Sequence, residues 1–270
     1  MEPFQSIDPS YFEIIQWKKF DSQLLAGFTT KLDGFSQGHY RSNNFGLHVG
    51  DDPETVNQNR QGMAKKLQIQ LNYWVFAQQI HGNQVQYVGK KERGRGSFIY
   101  DTSITDTDGL YTDEKGILLA LLFADCVPIY FYAPIERKIG IVHAGWRGTV
   151  KKVAIQLLEK WTQEGISPKN VYATIGPSIC NHCYIVDNKV IKIVDSLQLD
   201  EKVYEEKERD QFSLDLKKIN MILLRKFGIP IENILITDYC TSCHSDLFFS
   251  HRRDGGKTGR MIGFIGFRED

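Results

Sequence analysis

The run Ile117-Leu-Leu-Ala-Leu-Leu-Phe123 has no polar residue at any position. A half-exposed strand alternates apolar with polar, so a run apolar on both faces predicts a strand covered from both sides. With its flanking Gly116 and Ala124 the run is too short to cross a bilayer. It breaks at Ala124-Asp125-Cys126-Val127-Pro128 and resumes as the apolar Ile129 to Tyr132. A second constraint follows at Ile139-Gly-Ile-Val-His143-Ala-Gly-Trp146-Arg147-Gly-Thr149-Val150, which reads as strand, sharp turn and helix. Gly145 and Gly148 permit the turn, and Thr149 is suited to cap the helix beyond it. Apolar residues at 150, 153, 154, 157, 158 and 161 mark one buried helical face.

Around this centre the other elements can be placed. Residues 11–20 and 23–30 read as strands, and Ser42 to Pro53 as an ordered, turn-rich loop. A helix is predicted from Pro53 to about Leu67, with Val56, Arg60, Met63 and Leu67 along one side. Strands are predicted over 73–79, up to Val88, over 171–175, over 233–237 and over 261–267. Helices are predicted near 188–198 and 214–227, with the charged run 201–210 between them as solvated surface. Several strand pairs lack a helix between them. A single α/β domain over residues 1–270 with mixed sheets therefore fits better than a doubly wound fold.

Composition narrows the function. Lys+Arg and Asp+Glu both number 33, so no net field favours nucleic acid or an acidic membrane. No basic segment followed by an apolar one opens the chain, so no secretory signal is expected. The five cysteines are an odd number, which points to a reducing, cytoplasmic setting.

Three metal-competent side chains stand at the ends of apolar strands: His81, Cys126 and His143. Two imidazoles and a thiolate make a zinc set that leaves a fourth position open, and such a metal lowers the pKa of bound water toward neutrality. The same residues also fit buried, hydrogen-bonded core positions, or a Cys126 nucleophile with His143 as base and no metal. Cys180-Asn-His-Cys183 and Cys240-Thr-Ser-Cys243 are a competing signal, but 56 residues separate them. That interval is far longer than a zinc ribbon's, so the two pairs are not expected to form a second zinc site.

Taken together, Gln79-Ile-His81, Ala124-Asp-Cys126-Val-Pro128, His143-Ala-Gly-Trp-Arg-Gly148, Gly176-Pro177 and Ser250-His-Arg-Arg-Asp-Gly-Gly-Lys-Thr-Gly-Arg260 resemble the laccase-domain family. Its members were first called polyphenol oxidases and are now viewed as purine nucleoside phosphorylases with adenosine deaminase side activity. The resemblance runs from Ser42 to Phe264. It implies a layered α-β-β-α sandwich of cysteine-hydrolase-like type and zinc held by His81, Cys126 and His143. The chain departs from the family pattern at Ile185, where an acid is common, and at His251, where another aromatic is usual. It also departs at Thr107 and Gly109, where alanine is common.

The implied substrates are purine nucleosides (adenosine, inosine, methylthioadenosine) and phosphate. For such a reaction Arg147, beside a helix start, is the leading anion ligand, with Arg60 and Arg260 behind it. Asn43 and Asn44 are candidates for ribose hydroxyls, Asp125 for an acid, base or orienting group, and Trp146 for stacking. Copper suits two histidines and a cysteine as well, so a copper-dependent phenol oxidase is the rival. However, the seven histidines show no His-x-His repeat of the kind a multicopper cluster needs. A non-enzymatic zinc-binding protein is the third possibility. A monomer or a homodimer is expected.

Overall fold

The computed structural model describes residues 2–269. In chain order the strands are β1 (Gln5–Asp8), β2 (Tyr11–Glu13), β3 (Leu24–Thr29), β4 (Trp74–Phe76), β5 (Val85–Tyr87), β6 (Gly109–Thr112), β7 (Ile117–Phe123) and β8 (Val127–Ala133). They continue as β9 (Lys138–Ala144), β10 (Tyr172–Ile175), β11 (Ile185–Val186), β12 (Tyr204–Glu208), β13 (Gln211–Leu214), β14 (Ile234–Ile236) and β15 (Met261–Phe267). The helices are α1 (Pro53–Leu67), α2 (Trp146–Val150), α3 (Val153–Gln163), α4 (Asn188–Asp195) and α5 (Leu216–Phe227). One six-stranded sheet runs β1-β2-β3-β15-β7-β4 and another runs β14-β10-β8-β9-β6-β5, with a small third sheet β11-β13-β12. Both large sheets are mixed: β4–β7, β5–β6 and β10–β14 are parallel pairs, and the other pairs are antiparallel.

The apolar run at 117–123 explains the layering. Alternate residues Ile117, Leu119, Leu121 and Phe123 face a core shared with Tyr130, Tyr132, Ile139 and Ile141 of the second sheet. Leu118, Ala120 and Leu122 point the other way, into a core with Met63 and Leu67 of α1. On the second sheet, Val127, Ile129, Phe131 and Ala133 face away from the first sheet and pack on Leu157, Trp161 and Ile219 of α3 and α5. Period-two alternation thus gives four layers: helix, sheet, sheet, helix. The layered α/β architecture with mixed sheets is as expected.

Helix α1 begins at Pro53, with Asp52 as its N-cap accepting from the Thr55 N–H at 2.9 Å. Val56, Arg60, Met63 and Leu67 are all buried, as their spacing requires. Several local readings need correction. Residues 11–20 are not one strand: β2 is short and Ile15–Lys19 is a 3₁₀ turn that buries Trp17. Thr149 does not cap the long helix. It lies within the five-residue α2, and α3 starts only after Lys152 adopts a left-handed conformation (φ 59°). The charged run 201–210 is exposed but forms the hairpin β12–β13.

The separation of the two C-x-x-C pairs also misleads. β10 and β14 are parallel neighbours, in register at Ala173–Ile234 and Ile175–Ile236, and a further bridge joins Ser178 to Cys240. Most of the 56 intervening residues belong to the crossover between these adjacent parallel strands. Both pairs therefore leave the sheet side by side, and their four sulfurs lie within 4.8 Å of one another.

Candidate metal centre and pocket

The first sheet hands over to the second at Ala124-Asp125-Cys126, between β7 and β8. Because Val127 opposes Ala144 and Pro128 opposes His143, Cys126 lies at the end of β8 beside the end of β9. β6 flanks β9, and the His143 N–H donates to the Asp108 carbonyl at 2.7 Å just before β6 begins. The loop from β4 to β5 delivers His81 to the same rim. His81, Cys126 and His143, scattered over 63 positions of sequence, bring their ligand atoms within 4.8 Å of one another. The two imidazole rings lie 4.8 Å apart, edge to face.

Asp108 organises this group. It has no exposed surface. Its Oδ1 accepts from the His81 N–H at 3.1 Å and meets His143 Nδ1 at 2.9 Å. Its Oδ2 accepts from the N–H groups of Gly82 at 2.7 Å and Ile80 at 3.2 Å. Burial alone would raise the Asp108 pKa, but His143 and these amides outweigh it and hold the carboxyl below its ordinary value. With Nδ1 committed to Asp108, His143 keeps Nε2 for a ligand, the arrangement that metal-binding histidines ordinarily have. Burial pushes the Cys126 thiol up, and the charge and hydrogen bonds of His143 and His81 more than offset this, bringing it down to about 6. Burial also disfavours His143 as a cation, yet the Cys126 thiolate and Asp108 favour it and raise its pKa. Two imidazoles and a readily ionised thiolate at this separation fit a zinc or copper ion.

Local backbone features serve the same geometry. His81 and Asp125 are non-glycine residues with positive φ (58° and 91°), conformations that persist only when their surroundings impose them. A Cβ at Gly145 would sit 2.8 Å from Cys126 Sγ and 3.1 Å from His81 Cδ2, so glycine keeps this space clear.

The three residues line a cleft of about 430 Å³, a size suited to a small-molecule ligand. Arg147, Arg260, Trp146 and Asp125 line it too. The Arg147 guanidinium is exposed and lies over Trp146 at 4.4 Å. Because α2 has only five residues, it is Arg147 itself rather than a helix terminus that supplies positive charge here. Asp125 is spent on structure: its Oδ1 accepts from Thr241 Oγ1 at 2.6 Å and its Oδ2 from the Arg252 N–H at 2.7 Å. It positions its neighbour Cys126.

Two expected substrate ligands lie elsewhere. Arg60 is 1% exposed, donates to the carbonyls of Phe45, Gly96 and Ser97, and stacks on Phe76. It welds α1 to two loops. Asn43 is buried and does not line the cleft, and Asn44 braces its own loop through Gly46, Asp51 and the Arg260 N–H. Conversely, Asp108, Tyr100 and Tyr184 carry no site role in the sequence reading, and Gln79, quoted there with His81, joins them in this region. Gln79 mimics a strand residue by clamping Leu122 through both its N–H and its carbonyl at 2.8 Å. Tyr184 and Tyr100 add aromatic surface to the cleft. Asp108 was detectable in principle, since a ligand histidine needs an acceptor for its second ring nitrogen and 106–109 is polar between strands.

The chain is similar to known proteins along almost its whole length. Residues 25–268 match the family model described as multi-copper polyphenol oxidoreductase laccase. The chain is 43% identical to purine nucleoside phosphorylase YlmD of Bacillus subtilis, covering 99% of this chain and 98% of that protein. It is 47% identical to a protein of the same name from Geobacillus stearothermophilus over 91% of each. The crystal structure of a Bacillus licheniformis hypothetical protein, YfiH, superimposes with a TM-score of 0.96 at 44% identity, covering 99% of this chain and 100% of that one. The crystal structure of Geobacillus stearothermophilus YlmD gives a TM-score of 0.95 at 43% identity, with full coverage of both. With its His81, Cys126 and His143 cluster set in this cleft, the chain belongs to the multi-copper polyphenol oxidoreductase laccase family.

Proposed function

We propose that the protein is a zinc-dependent purine nucleoside phosphorylase that also deaminates adenosine slowly. The carrying observation is the convergence of His81, Cys126 and His143 at a cleft that also holds Arg147, Arg252 and Arg260 and the rings of Tyr100, Trp146 and Tyr184. The names of the YlmD relatives support the reaction class. Zinc, when bound at these three ligands, would supply Lewis acidity toward an oxygen or nitrogen of the nucleoside or toward water.

The remaining work falls to the chain. Arg147 and Arg260 hold phosphate by charge-assisted hydrogen bonds beside the ribose. Trp146 and Tyr184 offer faces for the purine. Asp108 keeps the proton of His143 on Nδ1, and Asp125 fixes the turn that presents Cys126. In phosphorolysis the bond from ribose to base breaks while a phosphate oxygen bonds the anomeric carbon. The site has only to hold these partners in line and offset developing charge.

Zinc-loaded protein is incubated with adenosine, with and without phosphate, and adenine, ribose phosphate and inosine are separated by chromatography. Phosphate-dependent adenine release is expected to fall on the order of a thousandfold in His143→Ala, equivalent to losing several kcal/mol of charge stabilisation. Arg147→Ala should depress phosphorolysis more than deamination, since only the former uses the anion. Copper-dependent phenol oxidation without nucleoside cleavage would overturn the proposal in favour of an oxidase. A second reading rests on the Cys126–His143–Asp108 alignment, which matches a thiolate nucleophile and its base. Full turnover by protein shown to be free of metal would select it.

A further inference from the structure

The four cysteines outside the cleft form a group of their own. Cys180 and Cys183 lie on the loop after β10, and Cys240 and Cys243 on the loop after β14. The Cys180 and Cys243 sulfurs are 3.8 Å apart, those of Cys183 and Cys243 3.4 Å apart, and all four fall within 4.8 Å of one another. A zinc ion with four thiolates at its usual bond length of about 2.3 Å sets neighbouring sulfurs about 3.8 Å apart. A disulfide would bring a pair to about 2.05 Å, so the sulfurs have the spacing of ligands around one ion.

The backbone prepares the group for anionic sulfur. The N–H groups of Cys180 and Cys243 both point at Cys240 Sγ, at 3.2 and 3.4 Å. Adjacent thiolates repel one another, so the four sulfurs can all ionise only with a cation between them. A cationic neighbour is already fixed in place: Lys217 donates to the carbonyls of Thr237 and Tyr239 at 2.8 Å each. Its charge would partly offset the net negative charge of a divalent ion with four thiolates.

We propose that Cys180, Cys183, Cys240 and Cys243 bind one zinc ion as a closed tetrathiolate, a structural centre distinct from the one in the cleft. Its position gives it a purpose. Ile179 and Tyr184, which flank the first pair, line the cleft. Thr241, next to Cys240, holds Asp125 beside Cys126. Arg253 donates to the carbonyls of Thr241 and Ser242 and ties the second pair to the segment carrying His251 and Arg252. The ion would cross-link two loops that otherwise meet through few hydrogen bonds, and so brace one wall of the cleft.

The test removes the other site first. Full-length Cys126→Ala is purified under reducing conditions without added metal, and its metal content is read by elemental analysis. About one zinc per chain is expected, released stoichiometrically as a mercurial reagent titrates the four thiols anaerobically. This measurement needs no change to the four cysteines. Paired Cys183→Ser and Cys243→Ser replacements in the same background should abolish the bound zinc. Release of the ion should also raise hydrogen exchange across 178–184 and 238–243. Four free thiols with no metal, two disulfides, iron in place of zinc, or zinc retained by the paired variant would each overturn the proposal. Because Cys126 is absent throughout, failure here leaves the cleft's metal centre untouched.

Discussion

Asp108 accepts four hydrogen bonds and has no surface exposed to solvent. In Asp108→Asn an amide N–H₂ would confront either a backbone N–H or His143, and the buried imidazole would lose its counter-charge. The expected outcome is a loss of about 3 kcal/mol in a urea titration, the usual scale for breaking a buried charged network. Zinc affinity, read by competition with a chromophoric chelator, should fall about 10- to 100-fold. Gly145 separates packing in the site from folding. Its backbone (φ −65°, ψ 170°) suits any residue, so Gly145→Ala imposes no backbone strain. The new methyl, however, meets Cys126 Sγ and His81 Cδ2. Zinc affinity should drop at least about tenfold while global stability changes by about 1 kcal/mol. A loss of stability without a loss of metal would refute this division.

At the scale of elements, Lys66 near the end of α1 joins that helix to the turn between β1 and β2. Its ammonium meets Asp8 at 2.8 Å and also Asp33. Burial raises the Asp8 carboxyl, but Lys66 and the Ser10 hydroxyl and N–H outweigh it, lowering it to about 2. A carboxyl whose folded pKa is depressed stabilises the fold above its unfolded pKa, near 4, and loses that contribution as pH falls toward 2. Lys66→Met should therefore cost about 0.5 kcal/mol at pH 6, modest because both side chains are about a third exposed. The difference in urea midpoint should vanish near pH 2. A difference independent of pH would assign the effect to packing.

The elements also show what a single sequence can reveal. Strands β7 and β15 and helix α1 were legible because unbroken apolar runs, or a capped 3.6-residue period, allow few alternatives. β2 is shorter than its apolar pattern suggests, because Trp17 is apolar in a strand or in a 3₁₀ turn alike. His81, Cys126 and His143 stand out in the sequence as metal-competent residues at the ends of apolar runs, although His81 lies in the loop five residues beyond β4. Asp108 does not, since an aspartate before a glycine looks like any turn. Arg60 resembled an anion ligand, yet carbonyls distant in sequence occupy its donors. The pairing of Cys180 and Cys183 with Cys240 and Cys243 depends on which strands lie adjacent. Spacing carries no such information across a parallel crossover.

For the molecule as a whole, the two large sheets meet through a buried layer that is mostly apolar. A hydrogen bond crosses it: the Tyr130 hydroxyl on β8 donates to the Gly27 carbonyl on β3 at 2.7 Å, with Tyr130 fully buried. Burial drives this phenol far above its ordinary pKa, so it remains a neutral donor. Close glycines let the sheets approach. A Cβ at Gly263 would lie 2.9 Å from both the Tyr130 hydroxyl and the Phe123 ring. Tyr130→Phe removes one donor, keeps the ring, and leaves a carbonyl that retains its strand partners, so about 1 kcal/mol should be lost. Gly263→Ala forces the sheets or their side chains apart and should cost about 1–3 kcal/mol. In both variants His81, Cys126 and His143 keep their own surroundings, Asp108 and Gly145. Zinc bound per folded chain should therefore match the parent protein while the urea midpoint falls. If zinc were lost in proportion to the destabilisation, the cleft's metal centre would depend on how the whole sandwich is closed, rather than on the rim of the second sheet alone.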